Sequence, residues 1–327
     1  MIPYSLLELV RVREGASPRD ALLHAQRTAI CAEECGFNRI WIAEHHNFSG
    51  IASAATSVVI SHLAQATKKI RVGAGGIMLP NHSPYVIAEQ FGTLAHLFPG
   101  RIDLGLGRAP GTDQRTLTAL RRTIEAAEYF PQDVLELQSY LSESGRGEGI
   151  EAVPAMGTKV PLWILGSSNF GAMLAAEYGL PYSFASHFAP ELLLPALEHY
   201  RENFIPSGEL LSPYAMVGLN VIAADTDKEA LRLATTQQMS FADIFRGTRS
   251  LSRPPIDDIE TYWSPMEKMQ AMRMLACTII GSPETIKRDL QKFIQKTGAD
   301  ELIIVSDIFE EEARFRSLEI ISQALNR

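Results

Sequence analysis

Ile70-Arg71-Val72-Gly73-Ala74-Gly75-Gly76-Ile77-Met78-Leu79-Pro80, followed by Arg101-Ile102-Asp103-Leu104-Gly105-Leu106-Gly107-Arg108, is the stretch on which the fold turns. Each half reads as a short apolar strand that runs into glycines and then presents a polar or cationic group. Glycine lets a bound ring or phosphate come close to the backbone. Two such strand ends side by side describe one wall of a site for a flat, anionic ligand.

Outward from that stretch, short apolar runs alternate with longer amphipathic ones, the pattern of repeated β-α units around a parallel sheet. Strands are predicted at 2–6, 39–43, 70–74, 102–106, 162–165, 182–185, 217–223 and 302–305. Eight such units predict a single-domain (β/α)8 TIM barrel over 1–327, with a doubly wound open sheet as the alternative. Helix punctuation agrees. Ser17-Pro18-Arg19-Asp20 offers a capping hydroxyl, a proline at the first helical position and a returning carboxylate, and Gly36 supplies the stop. Ser282-Pro283-Glu284 and Gly298 frame a late helix in the same way. Two regions exceed a minimal barrel: an extended connection at about 112–159, with a flexible glycine-rich stretch at 142–149, and a lid-like insertion at about 241–275.

Composition narrows the function. The 327 residues are 46% hydrophobic and 21% charged, and the net charge of -8 comes without a long block of either sign. Such a surface gives no footprint for nucleic acid or an anionic membrane and points to a small-molecule partner. Cys31, Cys35 and Cys277 are odd in number and lack metal spacing, so they read as reduced core thiols. The chain opens on Ile2-Pro3-Tyr4-Ser5 with no targeting pattern, and no run reaches spanning length; a cytoplasmic protein is expected.

Barrels of this type carry chemistry at the strand C-terminal ends. Those ends are chemically unusual here: Glu44-His45-His46, Gly75-Gly76, Gly107-Arg108, Gly166-Ser167-Ser168, Ser186-His187 and Ser306-Asp307. Arg108 offers a planar fork suited to phosphate. Gly166, Ser167 and Ser168 lead into a helix whose N-terminal N-H groups form an anion site, so these four residues are read together as phosphate ligands. Adjacent imidazoles diverge, and no carboxylate cluster or H-E-x-x-H accompanies Glu44-His45-His46, so no metal is expected. One of the two histidines is expected to face the mouth and titrate near neutrality as an acid/base group; the alternative is a structural pair. The glycines miss the G-x-G-x-x-G pattern, which excludes a Rossmann nicotinamide site.

Cys35-Gly36-Phe37, Trp41-Ile42-Ala43-Glu44-His45-His46, Val72 to Pro80 and Gly100 to Arg108 together resemble the bacterial luciferase-like flavin monooxygenases. The resemblance is specific to about residue 111 and collinear beyond it, with Gly281-Ser282-Pro283-Glu284 at the start of the late helix. It implies a TIM barrel that binds FMN, reduced by a separate flavin reductase, and uses O2 to oxygenate a small organic substrate. By motif match it implies that His45 is catalytic, that Gly75 and Gly76 flank a non-proline cis peptide beside the flavin, that Arg108 binds phosphate, and that Ser167 and Ser168 assist. Light-emitting members carry a cysteine at the position of Gly107, so light emission does not carry over. Alternatives are hydride transfer with the deazaflavin F420, a non-catalytic flavin-binding protein, and a metal-dependent barrel hydrolase or lyase. The resemblance further implies a homodimer through the helices after strands two and three, the first read at 51–67, where small residues and Val58, Val59, Ile60 and Leu63 make it apolar around much of its circumference.

Overall fold

The computed structural model describes residues 2–109, 113–143, 146–147, 149–248 and 250–326. In chain order the elements are β1 (Tyr4–Glu8), α1 (Pro18–Glu34), β2 (Arg39–Ile42), α2 (Thr56–Ala66), β3 (Arg71–Met78), α3 (Pro84–Leu97), β4 (Ile102–Gly107), α4 (Gln114–Ala119), α5 (Phe130–Leu141), β5 (Arg146–Gly147), β6 (Ile150–Glu151), β7 (Leu162–Gly166), α6 (Asn169–Tyr178), β8 (Tyr182–Phe184), α7 (Leu193–Glu202), β9 (Ala215–Ala223), α8 (Asp227–Phe245), α9 (Pro265–Met274), β10 (Thr278–Gly281), α10 (Pro283–Thr297), β11 (Glu301–Val305) and α11 (Glu311–Asn326). The predicted signals act as read on α1, whereas on α10 Pro283 and Gly298 hold their places but Ser282 makes no side-chain cap. Ser17 and Asp20 close a reciprocal capping box on α1. At its other end Gly36, at φ +77°, lets Phe37 N-H reach Ala32 O at 2.9 Å and its own N-H reach Glu33 O at 3.1 Å, a Schellman stop.

The parallel order β1-β2-β3-β4-β7-β8-β9-β11 closes where β11 pairs with β1, giving the eight-stranded barrel. A ninth parallel strand, β10, was not predicted. It exists because β8 is short: β8 covers β9 only at 215–217, and β10 takes the edge left open at 220–223. Two further expectations are corrected. β3 runs on to Met78, so Gly75 and Gly76 lie inside the strand, at a register shift against β4, rather than after it. The helix read at 51–67 begins only at Thr56, which leaves Ala52 to Ala55 in the preceding loop. Of the stretch 142–149, Ser144, Gly145 and Glu148 lie outside the described residues, as does Thr112 in the same connection; β5 and β6 form an antiparallel hairpin.

Side-chain alternation along the strands separates two cores. Leu6, Ile40, Ile42, Val72, Leu104 and Ile164 face the helices, whereas Leu7, Trp41, Trp163, Met216 and Ile303 fill the barrel. Below them, at the strand N-terminal ends, sits a charged floor. Arg39 bonds Asp103 at 2.8 Å and Glu301 at 2.9 Å, and both carboxylates are fully buried. Trp41 Nε1 donates to Asp103 at 3.2 Å and Tyr214 OH to Glu301 at 3.0 Å. The floor is thus hydrogen-bonded and closed, and chemistry is left to the opposite end.

Candidate active site

Past β2 the chain leaves extended pairing, and Glu44, His45 and His46 take separate roles. Glu44 is fully buried and accepts His46 Nε2 at 2.7 Å, His82 Nε2 at 2.8 Å and Met78 N-H at 3.1 Å. Burial alone would raise its pKa; the bonds from His46 and His82 outweigh this and hold it below the ordinary 4.5. The three donor atoms lie within 4.8 Å of one another, close enough to share a cation, but each is already engaged in this hydrogen-bonded set.

His45 diverges from His46, as expected of neighbours. No hydrogen bond reaches its ring among the described residues, and its Nδ1 is buried without a partner. Burial first, and the Arg11 charge second, push its pKa down to about 4. The expected titration near neutrality is therefore corrected: His45 stays a neutral imidazole. Arg11, past β1, is fixed by Ser240 of α8 at 2.5 Å and lies 3.4 Å from Asp307, past β11.

The peptide Gly75-Gly76 is cis. A Cβ on Gly75 would stand 2.8 Å from both Leu7 Cδ1 and Trp41 Cβ, and one on Gly76 would stand 2.7 Å from Gly105 O. The barrel's own atoms thus claim the side-chain space that the sequence assigned to a bound ring.

Arg108 is exposed and stacks over the Phe170 ring, 3.9 Å from its centroid, which brings the guanidinium to the start of α6. Ser168 is the residue before that helix, yet its side chain makes no capping bond. The first N-H groups of α6 are left for another acceptor. Gly166 has a packing role: a Cβ there would lie 3.3 Å from Gly171 Cα, so it lets α6 seat on β7. Ser167 lines a cleft of about 460 Å³ with Phe188, Leu192, Phe245, Arg273 and Met274. Its roof is the 241–275 insertion, of which Arg249 lies outside the described part. That roof is pinned by Asp243, which accepts Arg253 Nη1 at 2.9 Å and Tyr262 OH at 2.6 Å, and by Ser252, paired through its backbone with Val12 and Glu14 at 2.8 Å.

Arg108 thus meets Phe170 at the start of α6, while His45 belongs to a second group with Arg11 and His187. Sequence reasoning had named His187 only as a polar strand end and had not paired Glu44 with His82. The partners stand 38 residues apart and share no local pattern.

Residues 4–301 match the luciferase-like monooxygenase family. The chain belongs to that family. It is 52% identical to YvbT of Bacillus subtilis, over 97% of this chain and 95% of that one, and 48% identical to a luciferase-like monooxygenase of Escherichia coli K12, over 98% and 96%. The N-acetyl-S-alkylcysteine monooxygenase of B. subtilis is 30% identical over 99% and 98%. Among solved structures, apo-MsnO8 is 31% identical, covers 100% of this chain and 99% of its own, and superposes with a TM-score of 0.88. The oxygenating constituent of 3,6-diketocamphane monooxygenase from Pseudomonas putida, in complex with FMN, is 20% identical over 99% and 98%, with a TM-score of 0.75. An F420-dependent secondary alcohol dehydrogenase is 16% identical over 99% of both chains, at 0.71. The last two share the fold alone. The chain is a flavin-dependent monooxygenase of this family.

Proposed function

We propose that the flavin is FMN, supplied reduced by a separate reductase, and that the protein oxygenates a small organic substrate held under the 241–275 roof. The observation that carries this is Arg108 beside the uncapped start of α6, a cationic fork and free N-H groups at one point. A terminal phosphate monoester suits that pair. FMN, when bound, supplies the two-electron chemistry that activates O2. The chain's own part is to hold the phosphate with Arg108 and Ser168, to keep a neutral imidazole at His45 as hydrogen-bonding partner to the reacting groups, and to exclude water beneath Phe188, Phe245 and Met274. The deazaflavin reading draws on fold likeness, as does the FMN-bound neighbour; Arg108 at the uncapped start of α6 favours FMN, whose terminal phosphate monoester is the more highly charged acceptor.

The test is a pair of titrations by flavin fluorescence. Arg108→Ala should weaken FMN by about ten- to a hundredfold, the value of a charge-assisted hydrogen bond, and riboflavin by about twofold at most. Equal loss for both ligands, or wild-type preference for F420 over FMN, overturns the assignment.

A further inference from the structure

β8 ends at Phe184, and the chain then turns through Ser186 and His187. This turn is held with unusual care. Ser186 Oγ donates to Gly218 O, Asn220 Nδ2 donates to His187 O at 2.6 Å, and Asn220 Oδ1 in turn accepts Gln237 Nε2 at 2.8 Å. The Phe188 ring meets the His187 ring edge-on at 4.9 Å. β9 makes room for the imidazole as well: a Cβ on Gly218 would fall 2.6 Å from His187 Nδ1. The hydrogen bonds grip the backbone, and the ring itself is held by packing against Phe188 and Gly218. None satisfies its nitrogens, and Nδ1 is buried with no partner, as in His45.

A buried polar atom is costly to leave unpaired, and both rings stand past strand C-terminal ends at the barrel mouth, His45 after β2 and His187 after β8. His45 is close enough for its charge to be felt at His187. We infer that His187 is a substrate-contacting residue, which together with His45 brackets the single polar group of a substrate whose body is apolar. Phe188, Leu192, Phe245 and Met274 line the adjacent cleft and suit that body. Burial holds both imidazoles neutral, with pKa values of about 4. Each ring then offers one N-H and one lone pair, which fits a neutral carbonyl or hydroxyl better than a carboxylate. The inference rests on the oxygenation site proposed above.

Diethyl pyrocarbonate labelling, mapped by peptide mass, tests whether His187 faces the site. In the free protein His187 and His45 should both be labelled, and acetophenone with FMN should protect both. Gly218→Ala, which displaces the ring without removing it, should change His187 labelling. A His187 that resists the reagent while His45 reacts is a sealed packing residue, and the inference fails whatever FMN does. Binding is read from the absorbance shift of the FMN complex on titration with acetophenone or 1-phenylethanol. His187→Phe and Gly218→Ala should each weaken these probes about tenfold, His187→Gln should recover part of the loss, and FMN affinity should stay within about twofold. Full-strength probe binding in His187→Phe, or no shift in the wild type, overturns the inference. Loss of FMN binding by the wild type would instead overturn the flavin assignment, and the labelling of His187 would still be decided.

Discussion

At the scale of single residues, three histidines carry charge states that burial dictates. His45, His187 and His24 are each held down to about 4, by burial first; Arg11, His45 and the Arg314–Arg13 pair respectively add to it. Above the ordinary value of 6.5 both folded and unfolded chains leave them neutral, and their contribution to stability is complete. As pH falls from 6.5 to about 4 the unfolded chain takes up protons that the folded one refuses, so stability is lost across that window. Urea midpoints at pH 7 and pH 5 should therefore differ, and His45→Gln with His187→Gln should flatten the difference. An unchanged pH slope in the double variant would show that these rings are not the acid-sensitive groups. The chain marked His45 as a mouth-facing acid/base candidate but not its depressed pKa, which depends on burial that no local pattern encodes. The Arg11 charge that adds to it comes from a residue 34 positions away in the sequence.

Elements show how far local pattern reaches. All eight barrel strands were legible from apolar runs, and the ends of α1 and α10 from Ser-Pro with a later glycine, because those signals act within a few residues; Ser282, unlike Ser17, makes no side-chain cap. β10 was not legible: Thr278–Gly281 is too short to show alternation, and its pairing is decided by how early β8 stops. The helix proposed to carry the homodimer is redrawn by its burial. Val59, Ile60 and Leu63 pack inside the protomer, whereas Val58 is 67% exposed, with Ala54 and Ala55 exposed before it. Val58→Arg is thus the informative substitution, since Val59→Arg would damage the core. Sedimentation equilibrium at micromolar concentration should give twice the 36.1 kDa monomer for the wild type and the monomer for Val58→Arg. A wild-type monomer, or a dimer indifferent to Val58→Arg, would remove α2 from the interface.

Across the whole molecule the barrel has two unlike ends, a mouth with unpaired imidazoles and a floor with paired charges. Arg39→Met leaves Glu301 and Asp103 buried with less compensation, and breaking a buried pair from one side costs ~3–5 kcal/mol. Denaturant unfolding should register a loss of that size, while a loss under about 1 kcal/mol would mean that Arg71 and the surrounding hydroxyls suffice. Glu301 has one more consequence. It is the shared acceptor of Ser5, Asn38, Arg39 and Tyr214, and it stands on β11, which is made long after β1 and β2. Until those residues emerge, a nascent chain carries Arg39 without its second carboxylate and β1 without its closing neighbour. Synthesis from the N-terminus therefore cannot complete this barrel piecemeal, and closure waits until 301–305 has been made.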